Sequence, residues 1–464
     1  MKLKRIMIAA PKSGSGKTTI TIALLQALKD RGKKLISYKC GPDYIDPMFH
    51  KKVIGIPSKN LDTFFTSEET TRYLFLRERN EDETAVMEGV MGLYDGLGGV
   101  RKEGSAYHLA CTTKTPIILV VDAKGMGKTV VALIAGFLQY DTEKLIKGVI
   151  LNRMTKGYFD IIAPVIEGEL GVKALGYFPT YNDFKIESRH LGLVMPDEMA
   201  DIKAQIKGVS EKLSECVDID MIEKIAEEAS DLTVDESKLD ENGTKLKEAF
   251  EGATFNKTDA PVIAVAKDEA FCFYYEDNLK LLEAYGAKLE YFSPIHDKAL
   301  PEKAAGILLG GGYPELYAKE LSDNNEMLES IKAAFNAGLP IVAECGGFMY
   351  LHKTITDKDG HEYKMVGAID ADCKYTGKLV RFGYIDLKEN APNYLKDGEI
   401  IKGHEFHYFD STANGDSVTA TKPTTGKSYK CIKDRDNLWI GFPHLYYPSN
   451  ADFAENFVSK CKGN

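Results

Sequence analysis

The sequence predicts an α/β protein of two domains, each a largely parallel sheet with helices on both faces. Three observations predict it. Over residues 1–200 short apolar runs alternate with amphipathic stretches, a glycine-rich loop follows the first run directly, and the same alternation resumes near residue 260. Apolar strands alternating with helical patterns are what a parallel sheet needs, because both of its faces are buried. The strands expected in the first half are Arg5–Ala9, Lys34–Tyr38, Thr84–Met87, Pro116–Val121 and Gly148–Leu151, with helices such as Thr18–Asp30 and Thr129–Tyr140 between them. Those expected in the second half are Pro261–Ala266, Ala305–Leu309 and Pro340–Ala343. The stretch between, rich in charge and poor in aromatics, reads as a helical linker over 201–258 joining domains 1–200 and 259–464.

Composition narrows the function. A chain of 464 residues exceeds a single core. A formal net charge of −10 leaves no basic surplus for nucleic acid. No apolar run approaches a membrane span. The start, MKLKRIMIAAPKS, has a basic head, but its apolar run is too short for a secretory signal. Eight scattered cysteines form no CxxC pair, so a reducing cytoplasm is expected, with neither a disulfide framework nor a zinc site.

The first strand runs into APKSGSGKTT, then a helix. Ser13, Gly14, Ser15, Gly16, Lys17, Thr18 and Thr19 form the working half of a P-loop: backbone N–H groups close around phosphate, Lys17 reaches the β/γ oxygens, and the Thr18 hydroxyl ligates Mg²⁺. The full pattern asks for glycine at position 11, where this chain has Pro11. Lys12 stands five residues before Lys17, as in the variant P-loop of dimeric partitioning ATPases, which is kept as a rival reading.

Two acidic stretches close later strands. YKCGPDYIDPMFH carries Asp43 and Asp46 on a proline-punctuated turn, and AVMEGVMGLYDG carries Glu88 at a strand end. At the carboxyl edge of a parallel sheet both face the P-loop. Mg²⁺ takes one or two carboxylates with phosphate oxygens and water, so Glu88 with Asp43 or Asp46 would suit it. The alternative for Asp43 is that it merely begins a turn before Pro47. A third stretch, ESRHLGLVMPDE, places Arg189 and His190 side by side, a cationic pair suited to a polycarboxylate.

IVAECGGFMY (341–350) is an apolar run ending on Cys345 and two glycines. A free cysteine is usually a small buried hydrophobe. A cysteine on a sharp strand-to-helix turn, beside bare backbone N–H groups, is instead a nucleophile's setting.

KSGSGKTT, YKCGPDYIDPMFH, MEGVMGLYDG, SRHLGL, KDEAFCFYYEDNL, LLGGGYPELYA, AECGGFMYL, GHEFHY and PHLYYPSN occur in that order. Together they closely resemble the cobyrinic acid a,c-diamide synthases of corrinoid biosynthesis, over nearly the whole chain. The resemblance implies a P-loop, dethiobiotin synthetase-like ATP-binding domain, then a flavodoxin-like class I glutamine amidotransferase domain. It implies ATP and Mg²⁺ at the P-loop and Glu88, Asp43, Tyr44 and Asp46 between ATP and the substrate carboxylates, and Asn152 where related synthetases read adenine. Cys345 becomes the nucleophile, His444 its general base, and the glycines at 310–312 with Gly346 the oxyanion cradle, Gly311, Gly312 and Gly346 being the named donors.

Full triads of the amidotransferase class carry Glu two residues after the histidine; here that residue is Tyr446, as the resembled family also lacks the Glu, and what orients His444 stays open. His404 and His407 are expected in structural or substrate-facing roles. The implied partners are cobyrinic acid and glutamine, with a homodimer left open and neither nucleic acid nor membrane. Cobyric acid synthase and the nickel-sirohydrochlorin diamide synthase share this plan; GPDYIDPMFH and SRHLGL favour the a,c-diamide enzymes over the former and separate the latter poorly.

Overall fold

A computed structural model describes residues 3–181, 199–253 and 260–463. The described chain divides into two compact units between Asp240 and Glu241.

The first unit is a seven-stranded parallel sheet of β1 (Lys4–Ala9), β2 (Lys34–Cys40), β3 (Ser58–Leu61), β4 (Glu83–Glu88), β5 (Ile117–Asp122), β6 (Ile146–Asn152) and β7 (Lys173–Phe178), in the order β3-β2-β4-β1-β5-β6-β7. The five expected strands are all present. β3 and β7 add to them; neither reads as a strand along the chain, because SKNL carries one apolar residue and KALGYF has its glycine inside the run. The strand order reverses beside β1, so the loops after β1, β2 and β4 open on one carboxyl edge, where such sheets bind ligands.

The segment expected as a linker does not form one exposed element. Its helices Met199–Cys216 and Ile219–Glu227 bury Ile206, Val209, Leu213, Ile222 and Ile225 in the same core as Ile22, Leu25 and Val86. Burying each such side chain is worth about 1.5–3 kcal/mol. Arg5, fully buried, ties the end of this segment down: its guanidinium donates to the carbonyls of Leu3, Thr113, Lys114 and Ser230. The remaining helix, Glu241–Glu251, belongs to the second unit, where Lys245 pairs with Asp452.

The second unit has a six-stranded sheet. Its strands are β8 (Val262–Ala266), β9 (Lys288–Phe292), β10 (Ala304–Leu309), β11 (Ile341–Glu344), β12 (Lys433–Arg435) and β13 (Leu438–Gly441), in the order β9-β8-β10-β11-β13-β12, parallel except at the β12 edge. A five-stranded sheet built from Arg381–Glu389, Ile401–His407, Val418–Thr421, Ser428–Cys431 and His444–Leu445 stands beside it, all its pairs antiparallel. It is an addition to the expected flavodoxin-like plan, and it decides where one site residue lies. No helix among the described residues is long and apolar enough to cross a membrane.

Candidate active sites

In the first unit the P-loop joins β1 to the helix Lys17–Asp30. Gly14 (φ 77°) and Gly16 (φ 88°) take left-handed conformations, whereas Pro11 does not. Only the glycines that the backbone requires are therefore kept, and the proline at position 11 is tolerated. Gly16 starts the helix with no side-chain cap, so the first-turn N–H groups are open to an anion. Ser15 is buried in the loop.

Lys17 Nζ donates to the Met91 carbonyl at 2.9 Å, and Thr18 Oγ1 donates to Glu88 Oε1 at 2.7 Å. Asn152 lies against the loop: its Nδ2 donates to the Ser15 carbonyl at 2.8 Å, while its Oδ1 accepts from the Arg153 N–H at 2.9 Å. Arg153 itself reaches the Gly14 carbonyl and Asp122.

The carboxylates meet on a residue that sequence reasoning passed over. Lys39 is almost wholly buried, and its Nζ pairs with Asp46, with Glu88 Oε1 at 3.0 Å and with Asp43 Oδ2 at 3.8 Å. The parallel pairing of β2 with β4, which aligns Lys39 with Glu88, builds the cluster. A lysine inside LISYKC reads as an exposed charge in one dimension; a polar residue in an otherwise buried strand is the signal that could have found it.

Burial opposes the Lys39 charge, but Asp46, Glu88 and Asp43 outweigh it and hold its pKa well above the usual lysine range. Burial, reinforced by Asp46, pushes the Glu88 carboxyl up to about 7. Burial and then Asp46 likewise raise Asp43, whereas Asp46, gripped by Lys39, falls below the ordinary value despite its burial. At the turn Asp43 Oδ1 accepts from the Ile45 N–H at 2.8 Å, while its Oδ2 faces Lys39. Tyr44 is buried in the same turn. Arg189 and His190 lie outside the described residues.

In the second unit Cys345 closes β11 at φ 46°, ψ −100°, a left-hand-side backbone that a non-glycine residue adopts only under constraint. Such strain costs of order 1–3 kcal/mol and persists where the surroundings impose it, usually at functional sites. Here the Cys345 N–H donates to the Gly441 carbonyl at 2.9 Å and the Met349 N–H to the Cys345 carbonyl at 2.9 Å. Side chains at the two following positions are excluded: a Cβ on Gly346 would stand 3.1 Å from the Gly312 nitrogen, and one on Gly347 would strike the Leu309 carbonyl. The Gly346 backbone therefore lies close to the Gly312 nitrogen.

β11 pairs with β13 so that Glu344 aligns with Gly441, three residues before His444. The sheet therefore brings the cysteine turn and the histidine together. His444 lies against Gly311, whose missing Cβ leaves space for the ring. It stacks on His404, ring centroids 4.9 Å apart and 16° from parallel, through the pairing of Ile401–His407 with His444–Leu445. His407 stacks on Phe442 at 4.0 Å and its Nδ1 meets the Phe409 carbonyl at 2.7 Å. Tyr446 turns its hydroxyl to Asp277 at 3.4 Å.

Burial, with His407 second, lowers His444 to about 3, so the resting ring is neutral and its protonated form disfavoured. Burial, then Glu315, raises the Cys345 thiol above its ordinary value, and the Gly346 N–H offsets only part of that. The thiol is therefore protonated at rest, and its deprotonation accompanies attack. Gly311→Ala should press a methyl into the imidazole and lower glutamine hydrolysis about 100-fold, as a misplaced catalytic group does. A glutamate-release assay checks it, and an unaltered rate would remove the ring from the reaction.

Comparison with known proteins matches a family model to each unit. A family described as the CobQ/CobB/MinD/ParA nucleotide binding domain matches residues 6–194, and the CobB/CobQ-like glutamine amidotransferase domain matches residues 262–450. Cobyrinate a,c-diamide synthase of Caldanaerobacter subterraneus subsp. tengcongensis is 36% identical over 98% of this chain and 98% of its own. That of Picrophilus torridus is 38% identical over 99% of each, and that of Listeria innocua 38% identical over 97% of each. With a nucleotide-binding domain, an amidotransferase domain and full-length relatives at this identity, the chain belongs to the cobyrinate a,c-diamide synthase family of glutamine-hydrolysing ligases.

Proposed function

We propose that the chain amidates the a- and c-acetate carboxylates of cobyrinic acid, using ATP for activation and glutamine as the nitrogen source. The observation that carries the chemistry is the strained Cys345 turn beside His444 and the Gly312 and Gly346 nitrogens, in a chain whose other unit bears a P-loop.

Glutamine reacts first. Cys345 Sγ attacks the side-chain amide carbon as its proton passes to His444, and the oxyanion meets the Gly312 and Gly346 N–H groups, with Gly311 making room for the ring. The C–N bond then breaks, His444 returns the proton to the departing nitrogen, ammonia leaves, and water hydrolyses the thioester to glutamate.

An unactivated carboxylate does not condense with ammonia at neutral pH. A substrate carboxylate oxygen therefore attacks the γ-phosphorus of ATP, ADP leaves, and ammonia displaces phosphate from the acyl phosphate. The loop from Ser13 to Gly16 with Lys17, Thr18 and Thr19 cradles the phosphates, and Lys17 exchanges the Met91 carbonyl for phosphate oxygen. Asn152 holds the loop where the adenine-binding edge is expected.

Mg²⁺ fits this unit: Glu88 Oε2 is buried with no hydrogen-bond partner, on a carboxyl pushed up to about 7 by burial. Thr18 and Glu88 would hold it, with Asp43 nearby, and it would neutralise charge on the transferred phosphoryl group. Asp43, Tyr44 and Asp46, with Arg189 and His190 in the sequence beyond, would contact the macrocycle's carboxylates.

The test is mass spectrometry of cobyrinic acid after incubation with the protein, ATP, Mg²⁺ and glutamine. Two carboxylate-to-amide conversions, with ADP and glutamate released in step, are expected. Untouched cobyrinic acid with glutamine still hydrolysed would transfer the chemistry to another tetrapyrrole, nickel-sirohydrochlorin first.

A further inference from the structure

We propose that Glu344, the residue directly before the nucleophile, is the positioning residue of the glutaminase site: its carboxylate accepts the Nδ1–H of His444 and so leaves Nε2 to take the Cys345 proton. The inference rests on the reading of Cys345 and His444 as nucleophile and base.

Glu344 is 5% exposed at the end of β11, and its Oε2 stands 3.9 Å from His444 Nδ1. The carboxylate is gripped from the far side of the histidine as well: Oε1 accepts from the Tyr447 hydroxyl at 3.4 Å, and the group also accepts the Leu445 backbone N–H. The residues that hold it are thus one and three positions after His444, on the same short stretch of chain. His404 stacks on one face of the imidazole and Gly311 abuts its edge, so the ring has little freedom to turn from the carboxylate.

The position that carries the third triad member elsewhere in this enzyme class is Tyr446, whose hydroxyl goes to Asp277. The Nδ1 to Oε2 separation of 3.9 Å is longer than a hydrogen bond, and unliganded sites commonly hold catalytic contacts long and tighten them when substrate binds.

The thiol proton moves to Nε2, the imidazolium faces the carboxylate through Nδ1–H, and the Nε2 proton leaves on ammonia when the C–N bond breaks. Glu344 neither gains nor loses a proton in the cycle; it sets the tautomer, as the third member of a triad does.

The experiment begins with the unaltered protein, ¹⁵N-labelled at histidine and observed by NMR at pH 9, above the value of about 8 to which burial pushes the Glu344 carboxyl. His444, identified by the signal lost in His444→Gln, is expected to carry its proton on Nδ1. Glu344→Gln is expected to shift that proton toward Nε2 and to lower kcat for glutamine hydrolysis by about 100-fold or more, with KM little changed. An Nε2–H tautomer in the unaltered protein overturns the proposal, and that measurement needs no variant to fold. A loss of kcat under about tenfold in a folded Glu344→Gln overturns it too. Cys345→Ala separates the two levels. Glutamine hydrolysis surviving in Cys345→Ala removes the reading of the site itself. Hydrolysis lost there but retained in Glu344→Gln removes only the role of Glu344.

Discussion

Cys345→Ala is expected to abolish glutamine-dependent amidation, by at least about 10⁴-fold, while amidation supported by ammonium salt continues. The size of the first effect follows from the geometry. No other thiol occupies a left-handed strand-to-helix turn: among the described residues Cys345 is the only cysteine with positive φ. The variant also leaves His444 and the glycine nitrogens without an attacking group, and neither supplies a covalent intermediate by itself.

The second effect follows from the division of the chain. The P-loop, Glu88 and Lys39 belong to the first unit and Cys345 to the second, each site drawing its hydrogen bonds from its own unit. Folding should be little affected, because the alanine removes a sulfur and leaves the backbone bonds to Gly441 and Met349 in place. Parallel assays with glutamine and with ammonium chloride check the result. Loss of both activities would contradict two independent sites.

Glu88→Gln is expected to lower amidation with either nitrogen source by roughly 10²–10³-fold and to raise the Mg²⁺ concentration needed for half-maximal rate. Glu88 Oε1 already takes the Thr18 hydroxyl at 2.7 Å and the Lys39 ammonium at 3.0 Å. An amide of the same shape can accept one of these, yet it offers an NH₂ group where the other oxygen would meet a cation. The fold should tolerate the change. Lys39 retains Asp46 and Asp43, so the buried ammonium is not stranded, and burial already raises the Glu88 carboxyl to about 7. Removing the last partner of a buried charge is the costly case, about 3–5 kcal/mol, and it does not arise here. Measuring ADP and glutamate release together checks this: ADP should fall while glutamine hydrolysis stays. Unchanged ATP turnover would take Glu88 out of the metal site.

Much of this was legible along the chain, for a local reason. A P-loop is one contiguous strand–turn–helix, so its residues can be named before anything folds, and the left-handed Gly14 and Gly16 sit where GSGK puts them. ECGG is likewise contiguous, and Cys345 takes the strained turn that two following glycines permit. Strands with unbroken apolar runs, such as ILVV in β5, were equally plain. Polar SKNL was not, because its sheet position comes from parallel pairing of Ser37–Cys40 with Ser58–Leu61. The helices within 201–258 read as a solvated link because a third to nearly half of each is charged. Their apolar faces had no visible partner until the sheet supplied one in Ile22 and Leu25.

The phosphate-bearing and thiol-bearing turns, the α/β class and the family reside in short contiguous motifs and in their order, and so can be read along the chain. Tertiary structure alone decided which charges meet. Lys39 enters the site because β2 lies beside β4 in a register that sets it against Glu88. Glu344 and His404 reach His444 because β11 pairs with β13 and because Ile401–His407 pairs with His444–Leu445. Electrostatic and proton-transfer contacts act over a few ångströms, and residues far apart in the chain come within that range only when hydrogen-bonded strands align them.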